Sequence, residues 1–140
     1  MSELSDLVQR NFDAIEAADW DGLAANFDPD CQFVAPGFSA QGGDGAASWM
    51  RPFVEAFPDI EHRVIDPIES DGRIAFELEI TGTHTAPLVG PGGEIPPTGK
   101  PIRLAAANVW SVDGGKIASY HIYFDQMSFM GQLGLAPPGG

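Results

Sequence analysis

Residues 73–84, RIAFELEITGTH, limit the possible folds of this chain more than any other stretch. Ile74, Phe76, Leu78 and Ile80 alternate there with Glu77, Glu79, Thr81 and Thr83. Successive strand side chains point to opposite faces, so the pattern describes a strand with one buried and one wet face. Such a strand needs neighbours beside it and an apolar layer beneath it. Residues 61–69, 101–112 and 117–124 read as three further strands, with turns at Ser70-Asp71-Gly72 and Asp113-Gly114-Gly115. Before residue 60 the period is helical. Leu4, Leu7, Val8, Phe12 and Ile15 share one face behind a cap at Ser2 or Ser5. Trp20, Leu23 and Phe27 follow a cap at Asp19, and residues 46–57 form a third helix capped by Asp44 or Ser48. Pro52 should kink or restart that helix. Residues 31–35 read as a short extended run and residues 41–45 as a flexible glycine-rich link. Helices followed by hairpin-connected strands predict an α+β fold, a curved antiparallel sheet wrapped over three N-terminal helices. Four such strands carry more apolar area than three short helices cover, so an apolar pocket is expected between the layers.

At 140 residues the chain reads as one domain over 1–140. Its 20 acidic and 7 basic residues give a net charge of −13, which disfavours nucleic acid and anionic membrane surfaces as partners. No uninterrupted apolar run is long enough for a membrane span. The first ten residues lack a basic segment followed by an apolar one, so no signal peptide is expected. One cysteine, Cys31, rules out an internal disulfide and fits a cytoplasmic location. Cys31 itself reads as a small buried apolar residue. His62, His84 and His121 lack a clustered carboxylate and give no metal signature. His62, next to Arg63, reads as a solvated strand position.

Asp125 is the one acidic residue in 117–140. Two readings stay open. A carboxylate in apolar surroundings has a raised pKa and suits acid/base chemistry; an aspartate ahead of Met127 also suits a helix cap. Strand parity puts Ser119, His121, Tyr123 and Asp125 on one face, and Leu104, Ala106, Asn108 and Trp110 on one face of the neighbouring strand. The expectation is that Asp125, Tyr123, His121, Asn108 and Trp110 line one cavity. Trp49, Phe53 and Phe57 recur at helical spacing and read as core, with a second role in the pocket wall. Phe33 is a further candidate for that wall. His84 reads first as an anchor for the following loop, with a pocket-mouth hydrogen bond as the alternative. Residues 85–100 read as a pocket lid or as a proline-stiffened surface loop.

AFPD (56–59), GTHT (82–85), PPTGK (96–100), DGGKI (113–117) and YFDQ…QLG (123–134) occur in this order. Together they resemble the SnoaL-like polyketide cyclases, or ester cyclases, of the nuclear-transport-factor-2-like superfamily, over roughly residues 7–135. The resemblance implies a cone-shaped fold with a deep apolar pocket, no cofactor and a small hydrophobic, polyketide-like substrate. It also implies a homodimer formed through the convex sheet face, with Glu77, Glu79 and Thr81 at or near the interface. It assigns the acid/base to Asp125, and it puts Asn108 where a histidine often stands. Asp125 would then take a proton alpha to a carbonyl, the enolate would attack a second carbonyl, and Asp125 would return the proton. Asn108 or His121 would stabilise the oxyanion. Substrate-binding candidates are Trp110, Tyr123, Trp49, Phe53, Phe33 and His84. Two other classes remain: an epoxide-hydrolase or isomerase-like activity using Arg103 with Asp125, and a binding or dimerisation module without chemistry.

Overall fold

Ser2 and Ser5 start the first helix with reciprocal hydrogen bonds. The Ser2 hydroxyl accepts from the Ser5 N–H at 3.0 Å, and the Ser5 hydroxyl accepts from the Ser2 N–H at 3.1 Å. The computed structural model describes residues 2–90 and 93–135. Helix α1 (Glu3–Glu16) buries Leu7, Val8, Phe12 and Ile15. In α2 (Trp20–Ala24), Asp19 Oδ1 accepts from the Gly22 N–H at 2.9 Å, the expected cap.

Two expectations change next. Residues 31–35 belong to a longer strand, β1 (Phe27–Ala35), which forms a hairpin with β2 (Phe38–Gln41). The glycine-rich link is not a link: α3 (Gly42–Ala56) begins inside it. A Cβ on Gly43 would lie 2.5 Å from the Ala24 Cα, so only glycine lets α3 sit this close to α2. Neither Asp44 nor Ser48 caps α3, and Pro52 does not divide it. The Ser48 hydroxyl donates instead to the Gly45 carbonyl at 2.6 Å.

The remaining elements are β3 (Glu61–Ser70), β4 (Arg73–Thr83), β5 (Leu88–Gly90), β6 (Gly93–Ile95), β7 (Pro101–Asp113), β8 (Lys116–Phe124) and α4 (Gln126–Gln132). Six strands form one sheet in the order β2-β1-β8-β7-β4-β3, and β5 and β6 form a separate hairpin. The fold is the expected α+β arrangement, with one correction to the sheet. β1 runs parallel to β8, pairing Phe33 with Tyr120. Tight turns force antiparallel pairs within β3–β4 and β7–β8, whereas no short turn joins β1 to β8 and a parallel approach is open to it.

The β4–β7 ladder is regular through eleven pairs, from Arg73–Ser111 to Thr83–Pro101. Its inner face carries Ile74, Phe76, Leu78 and Ile80 against Ile102, Leu104, Ala106 and Trp110, all buried. The β3–β4 ladder is different. Asp71 and Gly72, both with positive φ, make a two-residue turn that sets the pairs Ser70–Arg73 and Ile68–Ala75. Asp66 (φ 50°) and Pro67 then oppose Phe76 together. Beyond them the pairs are Ile65–Glu77, Val64–Leu78 and His62–Ile80. This bulge turns every side chain past it to the other face. Among the described residues no helix is long and apolar enough to cross a membrane.

Candidate active site

A cavity of about 60 Å³ lies between the helices and the inner face of the sheet. Phe12 and Ile15 of α1, Trp49 and Phe53 of α3, Phe57 just past its end, and Phe129 of α4 form its helical wall. Leu78, Ile80, Leu104, Ile122 and Phe124 form its sheet wall. Trp49 and Phe53 therefore stand where the sequence put them. Trp49 packs 4.9 Å from Phe53 and 6.0 Å from Phe124 between ring centres, and all three rings are half-buried. Drug-sized ligand pockets run from about 300 Å³ upward. Admission of an organic molecule therefore requires these aromatic rings to move.

Two lining side chains can exchange protons, His62 and Tyr120. His62 reaches the inner face through the bulge at Asp66–Pro67, opposite Ile80. Its side chain is 8% exposed and stacks on Phe12 with ring centres 4.8 Å apart. Glu16, at the end of α1, holds it. The same Glu16 Oε2 accepts from the His62 backbone N–H at 2.7 Å and lies 3.0 Å from His62 Nδ1. Facing an ionised carboxylate, which can only accept, Nδ1 is the donor, so His62 in its neutral form has a bare Nε2. Tyr120 is fully buried, and burial pushes its phenol well above the ordinary value, so it stays neutral. Its hydroxyl accepts from Asn11 Nδ2 at 3.4 Å, which leaves the phenolic proton to donate.

The family profile of the SnoaL-like polyketide cyclases matches residues 5–133. The chain belongs to this family. Solved structures agree on the fold. AclR from Streptomyces galilaeus, assigned as a hydroxylase, is 20% identical with a TM-score of 0.79, over 95% of this chain and 96% of AclR. A protein from Jannaschia sp. CCS1, assigned as a SnoaL-like polyketide cyclase, is 19% identical with a TM-score of 0.82, over 96% of this chain and 94% of that one. TerC, crystallised with polyporic acid, is 16% identical with a TM-score of 0.74, over 95% of this chain and 99% of TerC. No curated protein sequence matches the chain.

Within this SnoaL-like frame several expected site residues lie elsewhere. Asp125 is exposed and caps α4: its Oδ1 accepts from the Met127 N–H at 2.9 Å and from the Ser128 N–H at 3.2 Å. Of the two readings left open for it, the geometry is that of the cap. His121 and Tyr123 face away from the cavity, Tyr123 is 53% exposed, and the two meet each other at 3.1 Å. The reason is register. Asn108 pairs with Ile122 and Trp110 with Tyr120, so from Tyr120 to Phe124 the inner face of β8 belongs to the even-numbered residues.

Asn108 and Trp110 are on the inner face as expected, but they lie in the core outside the cavity lining. Trp110 Nε1 donates to Asn108 Oδ1 at 3.2 Å, and its ring stacks on Tyr120 at 4.8 Å. Phe33 lies behind the wall, 5.7 Å from the Trp49 ring centre and 5.1 Å from that of Tyr120. Burial holds His84 below the ordinary imidazole value. Its Nδ1 accepts from the Thr98 N–H at 3.2 Å, and its ring stacks on Phe57, so it anchors the loop as first expected. That loop forms the β5–β6 hairpin and contributes nothing to the described cavity wall; residues 91–92 within it lie outside the described part. Arg103, 78% exposed in its side chain, points outward near Glu79 at 3.9 Å and does not meet Asp125 at the cavity. Burial pushes the Cys31 thiol up to about 11, which leaves it protonated and unreactive.

The QLG motif has a structural role. β8 ends opposite Ala106, so the backbone of Arg103 extends past its partner strand. Gln132 completes the ladder: its Oε1 accepts from the Arg103 N–H at 2.7 Å, and its Nε2 donates to the Arg103 carbonyl at 3.0 Å. What the sequence reading missed is the pairing of His62 with Glu16. Part of the signal was present, since Glu16 lies one turn beyond Phe12 on the inward stripe of α1.

Proposed function

We propose that this protein is a cofactor-independent cyclase that closes a ring in a small hydrophobic, polyketide-like carbonyl substrate held in the central cavity. The observation that carries the reading is that cavity, apolar apart from two proton-exchanging side chains, in a chain of the SnoaL-like polyketide cyclase family. TerC, a structural neighbour crystallised with polyporic acid, supports a small organic ligand. The reaction is an intramolecular aldol addition. A base removes a proton alpha to one carbonyl, and the enolate carbon bonds to a second carbonyl carbon. The π pair of that carbonyl moves to oxygen, and the proton returns to the new alkoxide. The product is an isomer of the substrate. Tyr120, neutral and with its proton free, suits the role of donor to the developing oxyanion.

β-Polycarbonyl esters incubated with the protein should yield a cyclised product of unchanged mass, followed by chromatography and mass spectrometry. Binding without any isomeric product would sink the cyclase reading and leave a ligand-binding module. The small size of the cavity favours that module as the second reading. We also read the protein as a homodimer formed through the outer face of the sheet, where Ala105, Ala107 and Val109 of β7 place small apolar side chains beside Glu77, Glu79 and Thr81. Light scattering giving a monomer mass at micromolar concentration would remove that reading.

A further inference from the structure

The bulge in β3 has a chemical consequence. In the register set by the Asp71–Gly72 turn, His62 would pair with Thr81 on the outer face. The extra residue at Asp66–Pro67 brings it opposite Ile80 and into the cavity wall. Bulges of this kind recur beside active sites because they re-aim a side chain. We infer that His62, held by Glu16, is the group that takes and returns the proton in this cavity. The inference rests on reading the cavity as a proton-transfer site.

Three observations support it. First, Glu16 holds the main chain of His62 through its backbone N–H and the ring through Nδ1, so that Nε2 of the neutral ring is a lone pair. Second, Nε2 has no hydrogen-bond partner among the described residues, yet it is not sealed off as the Nε2 of His84 is. A base needs both conditions, an uncommitted nitrogen and an approach to it. Third, an imidazolium formed inside an apolar wall would be costly alone. The carboxylate 3.0 Å away compensates its charge while the proton is held. The residue in contact with substrate is His62; Glu16 is its positioning residue. With no fixed cation in the lining, the cavity suits a neutral substrate carrying an acidified C–H bond rather than a carboxylate.

The test uses 5-nitrobenzisoxazole, which reports on a base in an apolar pocket whatever the natural substrate is. Nε2 removes the C3 proton, the C–H electron pair completes a nitrile as the N–O bond breaks, and oxygen leaves as a coloured phenolate. The wild-type protein should turn this probe over faster than buffer at the same pH. His62→Ala should lower kcat/KM at least tenfold, with partial recovery on addition of imidazole. His62→Gln, which keeps the side chain's bulk, should show the same loss and replaces the alanine variant as the test where that variant folds poorly. Glu16→Gln should lower kcat more than it alters KM. It should also mix the His62 tautomers in ¹⁵N NMR spectra, where the wild type should show Nδ1 protonated and Nε2 bare. Asp125→Asn should turn over like the wild type. Wild-type turnover no faster than buffer, or a folded His62→Gln as active as wild type, overturns the inference. Ring closure of a polycarbonyl ester undiminished in His62→Gln would keep the cyclase reading and reject His62. Probe turnover that depends on His62, with no ester ever cyclised, would do the reverse.

Discussion

β3 and β4 lie side by side and contribute to the same cavity in opposite ways. β4 is central, regular and alternates without a break through eleven pairs with β7. Its inner face is wholly apolar, and it presents Leu78 and Ile80 to the cavity as plain wall. β3 is an edge strand whose phase changes at Asp66–Pro67, and it presents an imidazole. The difference shows how one sheet serves two needs. A regular ladder buries apolar area reliably, because every second side chain must point inward. An irregular edge can break that rule at one place and bring a polar group to the apolar side. Edge strands tolerate the break because one row of their backbone groups has no ladder to lose.

The sharpest way to break the comparison is to damage the regular partner. Leu78→Ala removes a fully buried side chain from β4 and should cost about 2–5 kcal/mol of stability, read by urea denaturation. A loss below about 1 kcal/mol, at the small end of core truncations, would mean that the regular ladder is not what holds the wall. Next in size is the bulge itself. Asp66 has φ 50°, a region that costs an ordinary L-residue about 1–2 kcal/mol and that suits β-branched side chains least. Asp66→Val should therefore destabilise by about that much. It should also lower 5-nitrobenzisoxazole turnover, because relieving the strain shifts the register that places His62. Asp66→Gly, at ease with positive φ, should keep both stability and turnover. If Asp66→Val keeps full turnover, the bulge does not position the histidine.

Asp125 supplies the third contrast, a polar group just past the end of a strand rather than within one. Asp125→Ala should cost about 1 kcal/mol through the lost cap of α4, with probe turnover unchanged. Asp125→Asn should cost less, since asparagine caps nearly as well. Loss of turnover in the alanine variant without loss of fold would restore the aspartate to the chemistry.

This residue also shows how much the chain could reveal by itself. The alternation in β4, the helical stripes and both hairpin turns were legible because each is a local pattern with one geometric solution. The inner face of β8 was not legible, because parity within one strand gives two faces and not which of them is inward. Only pairing with Asn108 and Trp110 decides that. The uncharged surroundings of Asp125 suggested burial, but Gln126, Met127 and Ser128 are themselves exposed. His62 was hidden for the opposite reason. A one-residue bulge leaves little mark on composition, and Glu16 is 46 residues away in sequence.

The smallest expected effect concerns what prevents the bulge from slipping out. One end of β3 is tied by the Asp71–Gly72 turn, and the other by Asp59, just ahead of the strand. Asp59 Oδ1 accepts from the Thr83 N–H at 2.7 Å, and its Oδ2 accepts from the Thr83 hydroxyl at 2.9 Å. The strand is thereby pinned to both ends of β4 with the extra residue trapped between. The Thr83 N–H bond is the main reason the Asp59 carboxyl lies below its ordinary value. A carboxyl depressed in the folded state contributes stability that is complete above its unfolded value near 3.8 and is lost as pH falls through the folded value. Asparagine keeps the acceptor but has no such dependence. The difference in urea midpoint between wild type and Asp59→Asn should therefore be constant from pH 7 down to about 5, then close as the pH drops below about 4. Because Asp59 is exposed, the gap should be modest throughout. A gap that persists unchanged at pH 3 would mean that the charge of Asp59 contributes nothing to the pin, leaving the turn alone to hold β3 in its shifted register.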